Sequence, residues 1–277
     1  MCKKLLIFVL MLGLVSTAIG QPTGEMLFEF WYNIGGVNVG DLTSQASYPD
    51  NPDDGELRPS FDSILDGPDN YGQRAHGWLY PPEDGDYTFW IASDDGSTLY
   101  LSTDDDPANA VVIAKVPDAG WTSYQQWDAY PDQQSAPITL AAGGKYYIEA
   151  LMKEGGGGDS LTVAWAGPGI GEDITVIDGA YLSPGDPAPS LLKAKNPVPA
   201  NGAVDVDTAM LEWASGFNAV SHVAYLNGEL LAETEMNLAA ATLAPGTSYT
   251  WRVDEVQADG TVIEGNTWSF TTLPLEA

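Results

Sequence analysis

The stretch Asp86-Tyr87-Thr88-Phe89-Trp90-Ile91-Ala92-Ser93-Asp94-Asp95-Gly96-Ser97-Thr98-Leu99-Tyr100-Leu101-Ser102 decides the fold. Its first half alternates in the period-2 sense and is rich in aromatic residues, which suits a half-buried strand. A second run of the same kind follows Asp95-Gly96, a dipeptide that favours tight turns, so the two runs are predicted to form a hairpin. Working outward, Met26 to Tyr32, Ala110 to Val116, Ser135 to Leu140, Lys145 to Lys153 and Ser160 to Trp165 repeat the pattern. Gly143-Gly144 and Gly155 to Gly158 supply the later turns. Between Asn33 and Gly72 runs a stretch of Asp, Asn, Pro and Gly with little periodicity, read as a long loop of the functional or mobile kind. The fold class is all-β, with an antiparallel β-sandwich over residues 21–182.

Composition agrees. A chain of 277 residues with 30 Gly and 19 Pro is ill suited to helical bundles, and 9 Trp, 13 Tyr and 7 Phe are too many for disorder. Asp and Glu number 39 against 10 Lys and Arg, a net charge of −29. So acidic a chain is repelled by nucleic-acid phosphate and by anionic lipid, which excludes both as partners.

Lys3 and Lys4 precede an apolar run from Leu5 to Val15, and Ala18-Ile19-Gly20 offers small residues before Gln21. Residues 1–20 therefore read as a secretory signal peptide, too short for a membrane span, and the protein is expected to be secreted, extracellular or on the cell surface. Cys2, the single cysteine, falls inside it. A mature chain without cysteine has no disulfide, thiolate metal site or cysteine nucleophile.

The run Ser183-Pro184-Gly185-Asp186-Pro187-Ala188-Pro189-Ser190 reads as a Pro-rich linker over 183–190. Residues 191–277 follow with about seven short strand-like runs, the spacing of a small sandwich. Leu243-Ala244-Pro245-Gly246-Thr247-Ser248-Tyr249 resembles the tyrosine corner of fibronectin type III domains, and Leu211-Glu212-Trp213 fits the same family. The resemblance implies a spacer or presentation module.

Chemistry concentrates at Asp94-Asp95. Two adjacent carboxylates are unfavourable unless one is protonated, solvent screens them or a cation binds. Ca²⁺ takes six to eight oxygen ligands and suits an acidic, cysteine-free chain; a solvated turn is the plain alternative. The whole segment Gly77 to Leu101 resembles the protective-antigen (PA-fourteen) domain family, whose hallmark is an aromatic strand, Asp-Asp-Gly-Ser and a second apolar strand. Ile138 to Glu149, then a Gly-rich loop and Leu161-Thr162-Val163-Ala164-Trp165, resemble the same family, for coverage of about residues 24–170. In sugar-binding members the Asp pair is joined by a cis peptide and holds Ca²⁺, with glycan hydroxyls completing the shell. The resemblance thus implies Asp94 and Asp95 as calcium ligands and as the glycan site. Such members also draw ligands, often an Asn, from the loop before the last strand. Here Glu154 to Ser160 carries no Asn, and Asp159 stands in for it.

Trp121 and Trp127 lie in a polar stretch where a ring could stack on a pyranose, whereas Trp90, Trp165, Trp213 and Trp268 sit in strands and are assigned to cores. Thr103 to Pro107 and Asn51 to Gly55 read as acidic turns, the latter without the spacing of an EF-hand loop. His76, read as a strand-edge residue, and His222 fall in different halves, and no nucleophile elbow or phosphate loop is present, so no enzyme is expected. Two function classes lead, with a polysaccharide-degrading enzyme fragment whose catalytic part lies elsewhere as a third. One is a secreted calcium-dependent carbohydrate-binding module, of lectin or adhesin type, with a glycan or polysaccharide as partner. The other is a structural β-sandwich that binds other extracellular proteins and no sugar.

Overall fold

The computed structural model of the protein describes residues 21–64 and 69–275; the leader read at residues 1–20 lies outside the described residues. The first half holds β1 (Met26–Trp31), helix α1 (Val39–Thr43), β2 (Asp54–Arg58), β3 (Asp62–Ile64), β4 (Tyr71–Leu79), β5 (Gly85–Asp94) and β6 (Ser97–Leu101). It continues with β7 (Val111–Val116), β8 (Ile138–Leu140), β9 (Tyr146–Glu154), β10 (Ser160–Gly167), β11 (Gly171–Val176) and β12 (Leu182–Pro184). One sheet runs β2-β1-β4-β9-β6-β7 with β12 beside β4; the other runs β11-β10-β5-β8 with β3 beside β10. Every pairing in these two sheets is antiparallel.

The two sheets close on one core because each strand sends alternate side chains inward. Phe28 and Phe30 of β1, Ile148, Ala150 and Met152 of β9, Tyr87, Phe89 and Ile91 of β5, and Leu161, Val163 and Trp165 of β10 meet there. Tyr87 stacks on Trp165 with ring centroids 5.2 Å apart. Full burial of such side chains contributes about 1.5–3 kcal/mol each, which fixes strand register firmly.

The hairpin expected at Asp95-Gly96 is not formed. β5 pairs with β10 (Trp90 opposite Ala164), whereas β6 pairs with β9 (Leu99 opposite Ala150), so Asp94 to Gly96 arches from one sheet to the other. The arch is wedged between neighbours: a Cβ on Gly96 would lie 3.0 Å from the Val37 carbonyl and 3.2 Å from that of Pro117. Glu154 to Ser160 makes a second arch beside it, from β9 to β10. The stretch from Asn33 to Gly72 is more ordered than its composition suggested, since it contains α1, β2 and β3. Leu42 of α1 is buried against Trp31 and Ile34.

A second core gathers Leu211, Trp213, Trp251, Val253, Trp268 and Phe270. Its strands are β13 (Lys195–Val198), β14 (Ala203–Val206), β15 (Met210–Ala214), β16 (Ala219–Leu226), β17 (Glu229–Thr234), β18 (Leu238–Ala240), β19 (Ser248–Gln257), β20 (Val262–Ile263) and β21 (Thr267–Thr272). They form a β13-β15-β18 sheet and a β14-β21-β19-β16-β17 sheet, with β20 beside β19. The Ala244 N–H donates to the Tyr249 hydroxyl at 2.7 Å and ties the chain before β19 to it.

The segment between the cores does not hang free. Ser183 and Pro184 belong to β12 and pair with Trp78 and Gly77. The Ala188 N–H donates to Glu29 at 2.8 Å, and the Ser190 hydroxyl to the Asp50 carbonyl at 2.8 Å. His76 is not at a strand edge: it is buried in mid-β4, its Nε2 3.3 Å from the carboxylate of Glu29. All four tryptophans assigned to cores are buried.

Candidate functional site

The two arches put three carboxylates at one end of the first sandwich. Asp94, Asp95 and Glu154 each present an oxygen within 4.8 Å of the others. Strand parity explains how. On β9, Glu154 continues the inward row of Ile148, Ala150 and Met152, so its carboxylate caps the core. On β5, Asp94 follows the outward row of Trp90 and Ala92, and the chain then turns through Asp95. The Asp94–Asp95 peptide is cis, as the resemblance implied.

Backbone and hydroxyl groups hold the arches together. The Gly155 N–H donates to Asp95 Oδ2 at 3.0 Å, the Lys153 N–H to the Gly96 carbonyl at 3.1 Å, and the Ser93 hydroxyl to the Asp95 carbonyl at 2.5 Å. Gly155 has no room for a side chain, because a Cβ would lie 2.6 Å from the Val37 side chain and 3.3 Å from Asp95 Oδ2. Lys153 is buried too, and its ammonium donates to the carbonyls of Gly36, at 2.9 Å, and of Glu154. Burial lowers the Lys153 pKa.

The electrostatics of the site are unbalanced. Glu154 is 1% exposed, and neither carboxylate oxygen has a hydrogen-bond partner. Burial, then the charges of Asp95 and Asp94, push its carboxyl up to about 7, against a smaller opposing pull from the Gly156 backbone. Burial raises Asp94 as well, helped by Asp95 and Asp159. Asp159 is half-buried on the second arch and adds its charge to both neighbours. It also helps burial to raise the Tyr71 hydroxyl, on the β4 residue that pairs with Glu154.

On its open side the site meets a depression of ≈ 330 Å³ lined by Asp94, Trp121 to Tyr124 and Gly158 to Ser160. The 121–124 segment is pinned to β5: the Thr122 N–H donates to the Ser93 carbonyl at 2.8 Å, and Ser93 N–H returns to Thr122 Oγ1 at 3.0 Å. Gln133 anchors the same segment farther along, donating to the carbonyls of Ile91 at 2.8 Å and Gln126 at 2.7 Å. Trp121 is thereby left 58% exposed beside Asp94, with Tyr124 held by Asp62 at 2.6 Å. Trp127 turns the other way and packs on Trp90, Ala164 and Ala166.

The structure therefore brings Asp94 and Asp95 together as the sequence led us to expect, sets Asp159 beside them, and adds Glu154. The signal for Glu154 was present: it is a carboxylate in phase with the inward-facing residues of an apolar strand. The other acidic turns are locally satisfied. Asp104 accepts from Asn109 Nδ2 at 2.9 Å, Asp106 from the Ala108 N–H at 2.9 Å, and Asp53 from the Tyr32 N–H at 2.8 Å.

A two-sheet β-sandwich with an acidic double arch at one end defines the class. Residues 62–178 match the family model of the PA14 domain. Over 162 residues the chain is 35% identical to the mouse (Mus musculus) N-acetyl-beta-glucosaminyl-glycoprotein 4-beta-N-acetylgalactosaminyltransferase 1; the match covers 57% of this chain and 15% of the transferase. Similar solved structures include the PA14 sugar-binding domain from an RTX adhesin, at 14% identity and TM-score 0.45, over 58% of this chain and 99% of that one. Another is the Epithelial Adhesin 6 A domain from Candida glabrata in complex with Galb1-3GlcNAc, at 12% identity and TM-score 0.42, over 61% of this chain and 90% of that one. Among the described residues, no helix is long and apolar enough to cross a membrane.

Proposed function

We propose that the chain is a secreted, calcium-dependent carbohydrate-binding module, its first sandwich holding Ca²⁺ at Asp94 and Asp95 with Asp159 beside them. The observation that carries this reading is the convergence of carboxylates on the rim of an open depression that also presents an exposed Trp121. Hard oxygen donors in an irregular set suit Ca²⁺, whose coordination is flexible, better than Mg²⁺, which demands near-octahedral geometry. A bound cation would leave its outer face toward the depression, where vicinal sugar hydroxyls can replace water. Trp121 offers a flat apolar face to the ring, worth about 0.5–1.5 kcal/mol in comparable aromatic contacts. The PA14 match and the glycoprotein-directed relative support a carbohydrate ligand over other oxygen-rich ligands.

The second sandwich is proposed as a fibronectin type III-like spacer, a reading supported by its three-strand and longer sheets and by the Ala244–Tyr249 corner. The leader-like residues 1–20 support secretion. Binding at so shallow a site is weak singly, and repeated copies on one surface would supply avidity.

A glycan array probed with and without chelator tests this reading. The expected result is a set of sugars bound only when calcium is present, and lost in Asp95→Asn. Glycan signal that ignores both chelator and substitution removes calcium from the mechanism, and no glycan signal removes the function.

A further inference from the structure

The calcium reading accounts for Asp94 and Asp95 but leaves Glu154 unexplained. A buried carboxylate normally has a partner, because an uncompensated one costs several kcal/mol. Glu154 is only weakly compensated: both oxygens are buried and make no hydrogen bond of ordinary geometry, the Gly156 backbone pulls on the carboxyl less than burial and the Asp pair push, and Lys153 acts on it through charge alone. The nearest cation in sequence, Lys153, directs its ammonium to the backbone carbonyls of Gly36 and Glu154 rather than to this carboxylate. What the carboxylate does face is the Asp pair. Two ligands on one Ca²⁺ lie about 2.3–2.6 Å from it, so they can be at most about 5.2 Å apart. Asp94, Asp95 and Glu154 meet that limit, all within 4.8 Å of one another.

We infer that Glu154 is an inner ligand of the cation, binding it from between the two sheets while Asp94 and Asp95 bind it from the arch. The inference rests on the calcium reading above and adds a third carboxylate to the site. It also gives the site two sides. Glu154 is 1% exposed and lies at the end of the core, so no sugar reaches it. The glycan must approach from the depression beside Asp94, Trp121 and Asp159. Three carboxylates on one ion favour Ca²⁺, and trivalent lanthanides still more, over monovalent ions. Cation affinity and sugar selectivity then reside in different residues, on the inner and outer sides.

Calorimetric titration of the full chain with Ca²⁺ and with Tb³⁺ tests the inference in wild type, Glu154→Gln and Asp95→Asn. Glu154→Gln is expected to weaken Ca²⁺ binding by more than about 100-fold, beyond the 10–100-fold typical of losing an outer-shell partner. A parallel measurement needs no variant: the carboxylate ¹³C resonance of Glu154 in wild type should shift on saturation with Ca²⁺. Wild-type affinity in Glu154→Gln, or a Glu154 resonance indifferent to Ca²⁺, overturns the inference. If Asp95→Asn alone abolishes binding, the calcium reading survives without Glu154. Absence of Ca²⁺ binding by wild type overturns both.

Discussion

Glu29 and Glu154 are two buried glutamates of one sheet, on the strands that flank β4 on either side, and they are treated in opposite ways. Glu29, on β1, is fully enclosed and fully matched. Arg74 Nε donates to it at 2.8 Å, the Ala188 N–H at 2.8 Å, and His76 Nε2 lies 3.3 Å away. Burial works to raise its carboxyl, but His76, Arg74 and the Ala188 N–H outweigh it and hold the pKa below its ordinary value. Glu154, on β9, has the burial and two like charges beside it, and its carboxyl is raised to about 7. The first glutamate fastens the chain between the two cores onto the first sandwich. The second is pushed by its surroundings toward the neutral, protonated form. Burial alone, therefore, does not separate a structural carboxylate from a binding one; its partners do.

The comparison breaks most sharply at Glu29. Glu29→Ala strands Arg74 and His76 in a buried site and is expected to destabilise the first sandwich by about 3–5 kcal/mol, read from urea unfolding. A loss below about 1 kcal/mol means the cluster is not a matched network.

The pH dependence sharpens it. In chelator-treated protein, Glu154 has a folded pKa above its unfolded value of 4.5. Its ionisation is therefore penalised in the fold, and stability falls as pH rises from about 4.5 to about 7 and beyond, by at most about 3–4 kcal/mol. Glu29 runs the other way: its contribution is present above the unfolded value of 4.5 and is lost as pH falls through the lower folded pKa. Thermal melts of wild type, Glu154→Gln and Glu29→Gln across pH 3–8 check both signs. The falling limb should shrink in Glu154→Gln, leaving the smaller part that the raised Asp94 contributes, and added Ca²⁺ should abolish it in wild type.

Smaller effects are expected at the edges. Trp121→Ala should weaken glycan binding by about 0.5–1.5 kcal/mol while leaving Ca²⁺ affinity and melting temperature unchanged, since the ring is exposed. A matching loss of Ca²⁺ affinity would mean that the inner and outer sides are not separate. Tyr249→Phe removes the oxygen that accepts from Ala244 and should cost the second sandwich about 0.5–1.5 kcal/mol, with no change at the site.

Much of this was legible in the sequence, and the misses share a cause. Period-2 alternation in Asp86 to Ala92 correctly marked a strand, whose Tyr87, Phe89 and Ile91 enter the main core while Trp90 is buried in a smaller cluster on the other face. It could not say which sheet each run joins. Asp95-Gly96 has the composition of a hairpin turn, yet β5 finds its partner in β10, across more than sixty residues. That is a tertiary choice set by the core, not by the turn. His76 was misread for the same reason, because the β1 and β9 neighbours that bury β4 come from distant segments. At the site, Asp94 and Asp95 stood out because they are adjacent, and Asp159 because it is the loop's own side-chain oxygen near β10. Glu154 was hidden at the end of an apolar strand, where only the phase of Ile148, Ala150 and Met152 reveals that its carboxylate turns inward.

One experiment bears most directly on the claim that this acidic double arch is a calcium site: calorimetric titration of chelator-treated wild-type protein with Ca²⁺ at pH 7.5. The account predicts saturable binding of one ion, with a rise in melting temperature that Asp95→Asn removes. No heat of binding and no shift in melting would contradict it, and would leave Glu154 a buried charge without a purpose.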